Sequence, residues 1–134
     1  MSAERVIFAL LSNHAPLNAL VPAKRIFPGV LPPGTDLPAV GYRHIVSVGD
    51  HAVAASASTL TTSRIQVTAT ASSYPAMKQL LALVKQACHR RTGLIAGVKV
   101  QHVRSDTVGP DPDGTNPKIF SQSVDFKVTF SEPN

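Results

Sequence analysis

Tryptophan is absent from this chain of 134 residues, aromatic residues make up 5% of it, and there is one cysteine, Cys88. A lone cysteine rules out an intrachain disulfide, and its neighbours Leu81, Val84 and Ala87 mark it as a small buried residue rather than a reactive thiol. Long apolar runs are missing too. "VIFALL", near the start, falls well short of the about 20 residues of a membrane-spanning helix, and it follows Glu4 and Arg5 with no small-residue cleavage site behind it. The chain therefore reads as soluble and unexported, with no membrane partner.

Acidic residues are missing from a long interval. No Asp or Glu occurs between Ala52 and Ser105, where Arg64, Lys78, Lys85, Arg90, Arg91, Lys99 and Arg104 all lie. From Asp106 onward the balance reverses, with Asp106, Asp111, Asp113, Asp125 and Glu132 against Lys118 and Lys127. The net charge of +5 thus hides a segregation of sign along the chain. A nucleic-acid surface is one reading, but the basic residues are spread over several elements with no interleaved aromatics. A solvated basic face is a simpler one. A third is that basic and acidic regions of neighbouring copies meet in an assembly, where complementary charge sets register more than affinity.

Patterns for chemistry are equally scarce. The five histidines, His14, His44, His51, His89 and His102, are scattered, and no two stand three or four residues apart as metal ligands on a helix would. Asp111 and Asp113 fall in "DPDG", a turn sequence with too few carboxylates for a calcium loop. Asp50 and His51 could pair in "GDH", but no serine or cysteine occupies a nucleophile elbow, and there is no glycine-rich phosphate loop. No catalytic, cofactor-binding or metal-ligating residue is assigned, and no cofactor is expected. "HRR", His89 to Arg91, suits the negative end of a helix dipole without invoking a ligand.

What the sequence does contain is periodicity. Ser2 caps a helix through "AERVIFALLSN", with Val6, Ile7, Leu10 and Leu11 on one side, and Pro16 opens a single further turn that Pro22 ends. "KRIF" is a short extended piece. Residues 25–39 form a connector in which Pro28, Pro32, Pro33 and Pro38 each fix a backbone angle and remove an amide donor. "AVGYRHIVSV" alternates as a strand, with Val40, Tyr42, His44, Val46 and Val48 on one face.

Residues 49–63 are small and polar and read as a projecting hairpin loop, or as hairpin arms extending beyond the core. "RIQVTATA" resumes alternation, with Ile65, Val67, Ala69 and Ala71 inward. Next, "SSYPAMKQLLALVKQACHRRTG" has a serine cap, Pro75 in the first turn, and a stripe of Met77, Leu80, Leu81, Val84, Ala87 and Cys88. Gly93 is placed to end it. "GVKVQHVRSDTV" is a strand, residues 108–117 a second projecting loop, and "KIFSQSVDFKVTF" a long strand with Phe120, Val124, Phe126, Val128 and Phe130 on one face. This order predicts a single α+β domain over 1–134. Its antiparallel or mixed sheet has four to five strands, with two main helices packed on one face.

Three stretches together resemble a known family. "LLSNHAPLNAL" leading to "RIFPGVLPPGTDLPAVGY", and then "RIQVTATASSYPAMKQLLALVKQA", are similar in order and spacing to the tail-completion or tail-terminator proteins of tailed bacteriophages, also described as head-to-tail joining proteins. The resemblance implies a non-enzymatic assembly protein of a phage or prophage tail. Such a protein forms a ring, commonly of six copies, that terminates the tail tube and joins it to the head connector. It implies as partners further copies of the chain, the tail-tube protein and a head-completion or connector protein. It also implies location in the virion tail, and in the bacterial host cytoplasm during assembly.

Residues assigned to an oligomer or partner interface on this reading are Arg25, Arg43, Asp50, His51, Arg64, Arg90, Arg91, Arg104, Asp111 and Asp113. Two other classes stay open. A small basic nucleic-acid-binding module predicts steeply salt-dependent affinity, although no specific nucleic-acid binding is expected. An accessory enzyme predicts loss of activity on replacing Asp50 or His51.

Overall fold

The computed structural model describes residues 2–29, 31, 32, 34–50, 58–111 and 118–133. In chain order its elements are α1 (Ser2–Ser12), α2 (Ala15–Asn18), a 3-10 turn (Ala23–Arg25), β1 (Ile26–Pro28), β2 (Ala39–Asp50), β3 (Ser58–Ala71), α3 (Tyr74–Cys88), β4 (Arg91–Ile95), β5 (Val98–Val108) and β6 (Phe120–Pro133). One six-stranded sheet runs in the order β1-β2-β3-β6-β5-β4. β1 lies parallel to β2, and every other pair is antiparallel. The α+β class and the mixed sheet follow the sequence reading, but there are six strands where four to five were expected.

The centre of the sheet follows directly from alternation. β3 and β6 pair over their whole lengths, setting Ile65 opposite Phe126, Val67 opposite Val124 and Ser63 opposite Val128. Because side chains alternate faces, this register puts the large apolar residues of both strands on one side, Leu60 near the start of β3 excepted. α1 and α3 cover that side. Val6, Ile7 and Leu11 from α1 and Leu80, Leu81, Val84, Ala87 and Cys88 from α3 join Ile65, Val67, Val124, Phe126 and Val128 in one buried cluster, with Met77 also fully buried. Removing each large side chain from water contributes about 1.5–3 kcal/mol, so the helices are held by the sheet more than by their own propensity. Ser73 caps α3, its Oγ accepting the Ala76 N–H at 3.3 Å.

Three local outcomes differ from the sequence pattern. First, a bulge between His44 and Val46 inserts Ile45 into β2. One extra residue reverses the facing of everything beyond it, so Val46 and Val48 turn away from the helices and stand 47% and 64% exposed. Second, α3 stops at Cys88, with His89 extended and Arg90 at φ 60°. Arg90 and Arg91 therefore lie beyond the helix, and Gly93, at φ 105°, sits inside β4 rather than ending α3. Third, β4 and β5 are joined through Ala96 and Gly97, both at positive φ as a tight hairpin turn requires. These last two features supply the strand the periodicity did not show, and the pairing of Ile26–Pro28 with Val40–Tyr42 supplies the other.

Of the stretch 49–63, Gly49 and Asp50 complete β2, and Ser58 to Ser63 open β3 as hairpin arms. Residues 51–57 lie outside the described residues, as do 112–117 of the second expected loop. The connector closes over the face of the sheet opposite the helices. Gly29 donates its N–H to the Tyr42 carbonyl at 2.7 Å, and the approach is so close that a Cβ on Gly41 would sit 3.0 Å from the Gly29 carbonyl oxygen.

Candidate functional site

The face of the sheet without helices carries the outward half of each alternation. Arg64, level with Lys127 across the β3–β6 pair, reaches two carboxylates: Asp106 at 2.5 Å and Asp125 at 2.9 Å. Lys127 stands 3.9 Å from Asp106. The Arg64 guanidinium holds the Asp106 carboxyl below its usual range, and the two carboxylates raise Arg64 in turn. Beside this cluster Arg43 donates to Gln66 Oε1 at 2.9 Å, and Thr62 meets Thr129 at 3.0 Å. Sequence signs that are segregated along the chain thus meet across neighbouring strands of one molecule. The pairing that the sequence suggested between copies is closed, in part, within the chain.

A second cluster ties α3 to the end of β5. Lys78 Nζ contacts Asp111 Oδ1 at 2.6 Å and Gln122 Oε1 at 2.7 Å, while the Tyr74 hydroxyl donates to Asp111 Oδ2 at 3.0 Å. Gln122, which is buried, donates to the Gly109 carbonyl at 2.8 Å. Lys78, and then the Tyr74 hydroxyl, keep the Asp111 carboxyl below its usual range. Asp111 is thereby committed to holding the start of the segment beyond β5.

The remaining assigned residues are dispersed. Arg91 reaches back to the carbonyls of Ala87 and Gln86, both at 3.0 Å, and so terminates α3 from outside it. Arg25 Nη2 donates to the Leu20 carbonyl at 3.3 Å, folding the guanidinium onto the turn before it. Arg90 is exposed, its N–H bound to the Val103 carbonyl. Arg104 is exposed on β5, level with Lys127 on the helix-free face. Asp50 ends β2, whereas His51 and Asp113 lie outside the described residues. Only Arg43, Arg64 and Arg104 share a face, and Arg64 is offset there by two carboxylates.

A groove of about 520 Å³ opens between the connector and this face, lined by Leu31, Leu37, Tyr42, Thr68 and Ile119 among others. Its one cation, Arg43, already serves Gln66. The Tyr42 side chain turns the other way, onto Phe8 of α1, where burial and then the charge of Glu4 push its hydroxyl up. Cys88 is fully buried and its thiol is pushed far up by desolvation, which removes it as a nucleophile. Among the described residues no group of three His, Cys, Asp or Glu side chains is placed to hold a metal ion, and no helix is long and apolar enough to cross a membrane.

The features sequence reasoning missed are strand edges. β1 covers β2 only at Val40–Tyr42, and β4 has β5 on one side alone. Large apolar side chains stand at both edges: Ile45, Val46 and Val48 on β2, and Leu94 on β4 at 73% exposure. Alternation alone would place Val46 and Val48 in the core, so the bulge was the missing signal.

Comparison with known proteins returns one family. A profile described as "Tail completion protein gp17" matches residues 5–131. No curated protein matches the sequence. Among solved structures, the chain is similar to one in "Virion of native gene transfer agent (GTA) particle", with a TM-score of 0.69 and 12% identity. The match covers 95% of this chain and 92% of that one, and it establishes a shared fold.

Proposed function

The chain belongs to the tail completion protein gp17 family, a family of structural phage tail proteins rather than of enzymes, and from that premise we propose that it closes into a ring which terminates the tail tube and joins it to the head connector. The ring has six copies on this reading. Its partners are the tail-tube protein on one side and a head-completion or connector protein on the other. It acts in the host cytoplasm during assembly and resides in the virion tail.

The observation that carries this reading is the family match over 5–131, nearly the whole chain. A match to a fragment would leave room for a second activity elsewhere. The described residues offer strand edges and a groove beneath the connector as surfaces for such contacts. A ring needs a heterologous contact, in which one patch meets a different patch of the next copy. With Arg64 and Lys78 satisfied inside the chain, that contact does not depend on the described acidic residues of the C-terminal third. The nucleic-acid alternative gains nothing from the structure, because the arginines do not gather into a groove.

Size-exclusion chromatography with light scattering, with and without tail-tube protein, tests the ring. An assembly of about 85 kDa, six times the 14.2 kDa chain, is expected. A strict monomer under both conditions contradicts the reading.

A further inference from the structure

We propose that neighbouring copies join by edge-strand pairing, β4 of one copy lying parallel against the uncovered half of β2 in the next. The inference rests on the ring reading above and specifies its contact. β2 is twelve residues long, and β1 pairs only with Val40, Gly41 and Tyr42. Among the described residues no strand lies on the side of Arg43–Asp50 away from β3, an open edge of roughly 26 Å at about 3.3 Å per residue.

That edge offers backbone groups to a partner. Tyr42, facing the helices, turns its carbonyl to the β1 side, where Gly29 donates to it. In a strand, side-chain face and hydrogen-bonding direction alternate together. Beyond the bulge the residues facing the helix side are Ser47 and Gly49, paired with the buried Ser63 and Thr61. Their N–H and C=O groups therefore point to the open side. Soluble proteins usually blunt such edges with lysines, prolines or short strands, yet Ile45, Val46 and Val48 stand exposed here.

The molecule carries the matching edge on its opposite side, at the same height. Through the pairings, Ser47 is level with Ser63, Val128, Val103 and then Arg91, and Gly49 is level with Thr61, Phe130, Val100 and then Gly93. A copy set alongside without shift along the strands thus brings β4 against Ser47–Asp50, on the same edge as β1 and with four residues between Ser47 and its last pairing at Tyr42. The senses agree as well. Successive antiparallel pairings make β4 run the same way as β2, so the contact is parallel, like the β1–β2 pair it continues.

Below β4, among the described residues, Arg90 and His89 meet Val103 and Ser105, and no strand lies on that side of Asp106–Val108. Val48 and Leu94, the two most exposed large apolar residues among those described, both lie on the helix-free face at these edges, and the pairing covers both. Because the two edges differ, each copy uses one of each, as a closed ring requires. Backbone hydrogen bonds supply the affinity, and the side chains set the register.

The test uses Val48→Lys and Leu94→Lys in the full chain, each placing a charge on an exposed position. Each variant alone is expected to fold and to run as a monomer, its melting temperature independent of concentration. Mixed in equal amounts they retain one intact β2 edge and one intact β4 edge, so a heterodimer of about 28 kDa, twice the 14.2 kDa chain, is expected in place of the ring. Oxidation of Asp50→Cys/Leu94→Cys rings is expected to link chains covalently, and Cys88, being buried, does not compete. Wild-type-sized assemblies from both lysine variants, or rings that give no interchain disulfide, overturn the pairing while leaving the ring. A wild-type chain that stays monomeric with tail-tube protein present overturns the ring reading, and this contact with it.

Discussion

The two faces of the β3–β6 pair are built from alternate residues of the same two strands, yet they do different work. Toward the helices, Ile65, Val67, Val124, Phe126 and Val128 are fully buried. One residue along in each case, Arg64, Gln66, Asp125 and Lys127 face away from the helices in a polar cluster. Core burial fixes the register, and the register then determines which charges meet. The ion cluster on the open face is thus a consequence of the apolar one, and the comparison predicts unequal responses to mutation.

The largest effect is expected on the buried face. Phe126→Ala leaves a cavity beneath α1 and α3 and should cost about 3–5 kcal/mol, read from denaturant unfolding. A cost under 1 kcal/mol would mean that the helices do not pack as described. Next comes the helix that closes this face. Ser73→Ala removes the hydroxyl that accepts the Ala76 N–H and should cost about 1 kcal/mol. Ser72→Ala, one residue earlier, is the control and should do less.

The ion pairs come next, and their effect depends on pH. Asp106 and Asp111 have carboxyls held below the ordinary 3.8 by Arg64 and Lys78. Their contribution is present above 3.8 and is lost as pH falls through the lower folded values. Thermal stability should therefore decline as the solution is acidified below about 4. Arg64→Met should flatten that decline by returning Asp106 toward its ordinary value, which carboxyl chemical shifts would register directly. An Asp106 titration unchanged by Arg64→Met would break the link between the two groups.

The smallest effect on folding is expected at the sheet margin. Val48→Lys, on a side chain 64% exposed, should move stability by less than about 0.5 kcal/mol. Should it unfold the chain instead, the bulge at Ile45 would not be turning Val48 outward.

The same division explains what the sequence discloses. Alternation in "RIQVTATA" and "FSQSVDFKVTF", and the stripe from Met77 to Cys88, reveal the buried face because burial acts on every second residue of a strand and on one side of a helix. β4 leaves no such trace: its five residues are half-exposed or exposed, contain a glycine, and follow signals that also suit a helix end. β1 is three residues long, too short for periodicity to show, and its partner lies across a proline-rich connector. The Ile45 bulge shifts β2 by one residue with no signature in composition, so Val46 and Val48 read as core. Segregated charge was visible, but its resolution within one molecule needed the register of β3, β5 and β6.

The proposed role, ending the tail tube and joining it to the head, can be tested in assembled particles. The most direct measurement is the length distribution and head attachment of tails, seen by electron microscopy, in particles produced without the chain. Tubes that run past their normal length, with heads left unjoined, are the predicted result. Tails of normal length attached to heads would contradict the claim.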